Sequence, residues 1–459
     1  MASRYIVAGG TWDGSNTAIW SATSGGAPGA SVPTATDDVL LDAASGVVTV
    51  TVGAAVDCKT LICTGFTGTL AGTFGITIYG NLTAGSGMTW SNTGQVIISA
   101  TAAITSNGIV ISPNTAEGIR IAGGTVTLAD ALSTGLLFLV GGTFNANNFN
   151  VTAIRFISTT VGATRVLTMG SGTWTITGNG DAGGNWEILD ATDFTLNANT
   201  STIKFTNTGS AFGQLLFFYG GGFTYYNVWF ARGTSTQSNY IFDSNTFNEL
   251  KDTGTVAHAL RFSQGTTQTI KTWTVSGSAG NLITVNSNGV GTHTLQKTAT
   301  SPASITADYV DISFSSALDI YGGTWNATHS IDSGNNSGWI FALQAPTVTT
   351  QAVSDRTTNS ATGNGTVTDI GSASVTERGI VWATTTMPTT SNNKTVADGT
   401  GLGVFTASIS SLALNTTYYI RAYAINTYGT SYGNEVTLTT PLMINVSKPS
   451  STMINISKP

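Results

Sequence analysis

Short runs in which apolar residues alternate with threonine or another polar residue, each stopped by glycine, asparagine or serine, recur along almost the whole chain. This feature constrains the fold more than any other. Val48, Val50 and Val52 alternate with threonine, and comparable runs return at Ile76–Ile78, Val96–Ile98, Ile119–Ile121, Val126–Leu128, Phe149–Val151 and Trp174–Ile176. A period of two lets a strand bury one face and wet the other. The helical spacing of i, i+3, i+4 persists in no window, and its best candidate, Leu128–Val140, is broken by Gly135 and rich in Ser and Thr. The pattern therefore predicts an all-β chain.

A local repeat bears on how the strands are arranged. Gly-Gly-Thr followed by an apolar residue occurs at Gly123–Val126 and Gly141–Phe144, with a variant at Ser171–Trp174 and a late copy at Gly322–Trp325. The first two copies are eighteen residues apart and the third begins thirty further on, so the recurrence has no fixed period. Each copy reads as a turn feeding a new strand in a stack of rungs, where neighbours supply the core that one rung lacks. This places a β-solenoid, like a parallel β-helix, over residues 41–341, after an N-terminal segment of residues 1–40. Gly-turned hairpins in antiparallel sandwiches are the rival arrangement, and the sequence leaves both open.

Composition narrows the function classes. Charged residues make up 9% of the 459 positions, against about 25% in an ordinary soluble domain, while 41% hydrophobic content argues for a packed core. Thr, Ser and Asn must then supply the wet surface. A net charge of −6 with seventeen scattered Lys and Arg gives no footprint for phosphate, so nucleic acid is not an expected partner. Cys58 and Cys63 stand without a second Cys or His pair and are expected as two buried thiols. No apolar run approaches a membrane span, and Tyr5–Ala8 is too short for a signal-peptide core. A surface-like composition without an export signal is expected of a virion component assembled in a host cytoplasm; an extracellular or cell-surface location is the alternative.

The residues that carry chemistry elsewhere are sparse here. Asp181, Glu187, Asp190 and Asp193 form the densest acidic group, with Asp308, Asp311 and Asp319 a second. Glycan cleavage needs two carboxylates at a fixed separation across a groove, whereas acids at turns more often solvate or cap the chain. His258, His293 and His329 are spaced too widely for zinc and are expected at the surface or in turns. Asp332–Gly338 is oxygen-rich but lacks the later Glu of a calcium loop. No catalytic residue, metal or cofactor is assigned. Eight aromatic residues crowd into Phe217–Phe230; alternation must turn some of them outward, and Tyr219, Tyr225 and Trp229 are the candidates for stacking on a glycan or an interface. Core packing is the plainer account of the same cluster.

Two stretches resemble known proteins. Lys271–Gly277, Asn281–Val285, Ala307–Ser313, Gly322–Trp325 and Asp332–Phe341 are similar to successive segments of bacteriophage and phage-like structural proteins. After Pro346, Glu377–Trp382, Gly403–Leu412 and Thr416–Asn426 resemble a fibronectin type III domain over residues 342–440. That likeness implies a β-sandwich with Trp382 packed centrally and Tyr418 closing a tyrosine corner. Residues 441–459 hold two copies of Met-Ile-Asn-x-Ser-Lys-Pro. Their apolar heads, Met443, Ile444 and Val446, then Met453, Ile454 and Ile456, suit addition to a partner's sheet edge, and a disordered tail is the rival reading. The expected function is a non-catalytic structural or adhesion component of a virion: a tail fibre, spike or surface decoration. Its expected partners are other virion proteins or copies of itself, as a homo-oligomer such as a trimer, and host surface glycans, without membrane insertion. A bacterial adhesin or surface-layer protein and a polysaccharide-degrading spike are the alternatives.

Overall fold

Strands about one turn of chain apart pair in parallel. Val96–Ile98 lies between Ile76–Ile78 and Gly118–Ile121, with Ile76, Val96 and Ile119 aligned, and Asn239–Phe242 lies in the same way between Leu216–Tyr219 and His258–Phe262. The computed structural model describes residues 2–178, 184–209 and 214–442. Its first compact unit, Met1–Phe341, is a β-solenoid, so hairpin sandwiches are not the arrangement here. Among the described residues of this unit one ladder is antiparallel, where Trp20–Ser21 runs against Ser3–Ile6. That reversal covers an end of a ten-stranded ladder that would otherwise offer free backbone groups. Trp12 and Trp20 meet edge to face beneath it at 5.4 Å.

The N-terminal segment set apart at residues 1–40 is part of the solenoid. Ser3–Ile6 pairs with Asp38–Leu40, and Gly10–Trp12 with Thr49–Val52. Its alternation was hidden because Trp12 and Trp20 are separated by a polar, glycine-bearing loop, yet both are buried.

Inward positions are filled by large apolar side chains stacked from turn to turn. Phe156 stacks on Trp186 at 4.4 Å, and Trp186 meets Trp174 edge to face at 5.8 Å. Burying rings of this size stabilises the stack by about 1.5–3 kcal/mol each. The Gly-Gly-Thr repeat has a steric reason in its first two copies. Thr125 pairs with Thr143 in adjacent turns. Gly124 and Gly142 have φ of 66° and 74°, and a Cβ on Gly142 would run into the Gly124 carbonyl. The later copies do not continue this column: Thr173–Ile176 belongs to a different ladder, and Thr324–Thr328 to a three-stranded sheet. Asparagines tie the turns together. Asn147 Nδ2 donates to the Leu128 carbonyl at 3.2 Å, and Asn148 Oδ1 accepts from Ser171 N at 3.1 Å. A low charge content is compatible with a wet surface because amides and hydroxyls bond along the stack.

The described residues of the second unit, Ala342–Pro459, form two antiparallel sheets around their own core. One contains Thr347–Ser354, Ala361–Asp369 and Gly403–Ile409; the other is built on Glu377–Ala383 and Thr417–Asn426. Trp382 lies in the shared core with Val367, Phe405, Ile420 and Leu438. The Tyr418 hydroxyl accepts from Ala413 N at 3.0 Å. No helix among the described residues is long and apolar enough to cross a membrane.

Candidate functional site

Strand alternation divides the aromatic cluster. Phe218, Tyr225 and Phe230 point into the core, while Phe217, Tyr219, Tyr226 and Trp229 lie on the outside. Tyr225, a candidate for ligand stacking, is corrected to a core residue. It is 1% exposed, donates to the Gly220 carbonyl at 2.8 Å and accepts from Trp186 Nε1 at 3.3 Å. Its ring faces inward because Tyr225 aligns with Phe247 on the buried side of the ladder.

Trp229 is outward, but the protein's own cations lie over it. The Lys204 and Lys251 ammonium groups sit 4.2 and 4.6 Å from its ring centroid, since Lys204, Trp229 and Lys251 align on successive turns. Its Nε1 donates to Thr253 Oγ1 at 2.8 Å. Tyr219 is half-buried and stacks on Phe242, one turn later, at 4.2 Å. Phe217 lies 5.2 Å from Tyr240 in the neighbouring column, and the Arg261 guanidinium lies 5.8 Å from Tyr240. Burial, then the charges of Glu187 and Asp243, raise the Tyr219 hydroxyl pKa. Tyr240 and Phe242 were missed in the sequence. Their signal was an aromatic pair two residues apart, repeated twenty-three residues after Phe217 and Tyr219.

The described acids other than Asp193 are held by different partners. Glu187 pairs with Arg155 at 2.6 Å, and Asp190 with the buried Arg165 at 3.1 Å. Asp193 is exposed at a turn position with φ of 56°. Asp181 lies outside the described residues. In the second group Asp308 accepts from Thr328 Oγ1 at 2.8 Å, Asp311 from Ser333 Oγ at 2.5 Å, and Asp319 faces Lys297 at 3.3 Å. Asp332 Oδ1 accepts from Gly334 N and Asn336 Nδ2, closing its own turn.

The expectation of surface histidines holds for none but His329, which is half-exposed beside Asp308. His293 is fully buried, and burial pulls its pKa down to about 3. Its Nε2 is 3.1 Å from Ser315 Oγ, but both residues are sealed in the core, so the pair is not placed to attack a substrate. His258 belongs to a buried network that sequence spacing could not reveal. Its Nε2 meets Asp252 Oδ2 at 3.0 Å and its Nδ1 the Val256 carbonyl at 2.8 Å. Asn239 Nδ2 also donates to Asp252 Oδ2, and Arg232 Nη1 to Asn239 Oδ1, both at 3.0 Å. Both His258 nitrogens thus face acceptors, an arrangement that only an imidazolium satisfies fully. Burial opposes that charge, but the Asp252 hydrogen bond and charge outweigh it, and the His258 pKa is raised.

Cys58 and Cys63 are free and buried, and burial pushes Cys63 up to about 12. No group of three or more His, Cys, Asp or Glu that could hold a metal occurs among the described residues. The tail heads Met443, Ile444, Val446, Met453, Ile454 and Ile456 lie outside the described residues.

No protein-family model matches the chain, and no curated protein matches it. Among solved structures, it is similar to the sensor domain of an anti-sigma factor from Pseudobacteroides cellulosolvens. The two are 21% identical over 22% of this chain and all of that one, with a TM-score of 0.17.

Proposed function

We propose that this protein is a non-catalytic structural and adhesive component of a bacteriophage virion: a tail fibre, a spike or a surface decoration. The observation that carries the reading is the β-solenoid itself, in which ladders repeat turn on turn and the described acids of the two candidate groups are tied to donors or exposed singly at a turn. Glycan hydrolysis requires two carboxylates facing one bond. The likeness of Lys271–Phe341 to phage structural segments supports the virion setting. The second unit is read as fibronectin type III-like, supported by Trp382 in the core and the Tyr418 hydroxyl at its corner.

In this reading the partners are other virion proteins, copies of the same chain in a homo-oligomer, and host surface glycans. Imaging of purified particles with an antibody against the chain tests the setting: label on a fibre or on the particle surface is expected. Label confined to the surface of an uninfected bacterium would refute it and favour an adhesin. Incubating the full chain with host glycans tests the absence of catalysis. Release of short oligosaccharides by the wild type, lost in an Asp190→Asn, Asp193→Asn variant, would refute the structural role and favour a degrading spike.

A further inference from the structure

One ladder of the solenoid lapses partway along. The ten-stranded ladder ends at Phe194–Asn197. The outer strand of the next turn, Thr224–Phe230, pairs with the preceding strand Thr202–Phe205 only through Asn227–Phe230. Phe194–Asn197 and Thr224–Tyr226 are therefore not joined, and a cleft of about 470 Å³ opens there. Leu196 and Asn199 form one side. Tyr226, Asn248, Lys271 and Thr298 follow on successive turns along the other. At about 4.8 Å per turn, the three laddered steps from Tyr226 to Thr298 span about 14 Å.

The lining is chemically specific. Tyr226 is 37% exposed, so its ring is available. Among the described residues neither its hydroxyl nor the Lys271 ammonium has a hydrogen-bond or ion-pair partner. The rest of the wall mixes neutral amides and hydroxyls with apolar patches at Leu196 and Phe247, and no lining residue is a carboxylate. We infer that this cleft binds an extended acidic oligosaccharide, with a sugar ring stacked on Tyr226 and a carboxylate held by Lys271. A sugar presents an apolar C–H face and a polar rim, which suits one exposed ring among amides and hydroxyls. The unpaired ammonium selects for negative charge, and the lack of an acid in the wall removes both the repulsion and the hydrolytic pair. Tyr226 and Lys271 lie two turns apart, about 10 Å, so successive units of one chain engage them.

This deepens the adhesive reading and rests on it for biological meaning, but its test is separable. The full chain is titrated calorimetrically at low and high salt with oligogalacturonate, an oligomer of sialic acid, and an uncharged galactose oligomer. At low salt, binding of at least one acidic probe about tenfold tighter than the neutral one is expected, with the margin shrinking in salt. Lys271→Gln should remove that margin while leaving neutral binding unchanged. Tyr226→Ala should weaken every probe, and Lys204→Gln, in the Trp229 stack, should change nothing. Circular dichroism checks that each variant folds. Wild-type affinity in both cleft variants, or no binding of either acidic probe, would overturn the assignment. If the cleft variants lose oligosaccharide but still adhere to host cells, glycan adhesion runs through another surface. If the chain binds oligosaccharide but labels no particle, the virion setting fails and the cleft stands.

Discussion

Replacing Asp252 with Asn tests the buried network most directly. In the native chain the carboxylate accepts from Asn239 Nδ2, His258 Nε2 and Gly254 N, each at 3.0 Å. It also faces Arg232, whose pKa burial lowers to about 10 against the pull of Asp252. The network holds two cations and one anion, so the substitution leaves two buried positive charges and turns an acceptor into a donor. Breaking a buried ion pair on one side costs about 3–5 kcal/mol. The sign of the pH dependence follows from His258. Its folded pKa lies above the unfolded value of about 6.5. Its contribution is therefore complete below about pH 6.5 and is lost as pH rises through the folded pKa. The Asn variant should show the largest deficit at pH 5.5 and a smaller one at pH 9. Because solenoid turns open with their neighbours, urea midpoints should be read together with hydrogen exchange at Asn239–Phe242 and His258–Phe262. Equal deficits at the two pH values would refute the charged His258.

Other perturbations separate the core from the surface. Trp174→Ala should cost about 3–5 kcal/mol in denaturant unfolding because it empties the stack against Phe156 and Trp186. Tyr225→Phe should cost about 1–3 kcal/mol by leaving Trp186 Nε1 without a partner and removing the hydroxyl's bond to the Gly220 carbonyl, whereas Tyr219→Ala should cost less in the same assay. Native Cys58 and Cys63 should resist a thiol reagent at pH 8 and react only on unfolding, since burial suppresses the thiolate. Deleting Leu442–Pro459 should leave both units folded by circular dichroism yet abolish incorporation into particles, and removing one repeat should weaken it only partly; normal incorporation of the full deletion would refute an assembly role.

The sequence by itself determined the strand content, because a period of two and frequent Gly and Asn turns admit little else. Which residues of Phe217–Phe230 turn inward was fixed up to a choice of face by the same alternation. That choice needed the ladder: Tyr225 is buried because it aligns with Phe247, and Trp229 is covered because Lys204 and Lys251 fall on the turns beside it. The solenoid rather than a sandwich was likewise decided by pairing across about twenty residues. An eighteen-residue repeat suggested such pairing for Gly124 and Gly142, but it could not extend it to Thr173 or Thr324. The His258 network and the Tyr226 cleft were invisible for the same reason. Arg232 lies seven residues from Asn239 and Asp252 six from His258, and only the coiling of the chain joins these two local pairs, through Asn239 and Asp252; the cleft likewise exists only because the coil leaves Asn199 facing Tyr226 across an unpaired edge.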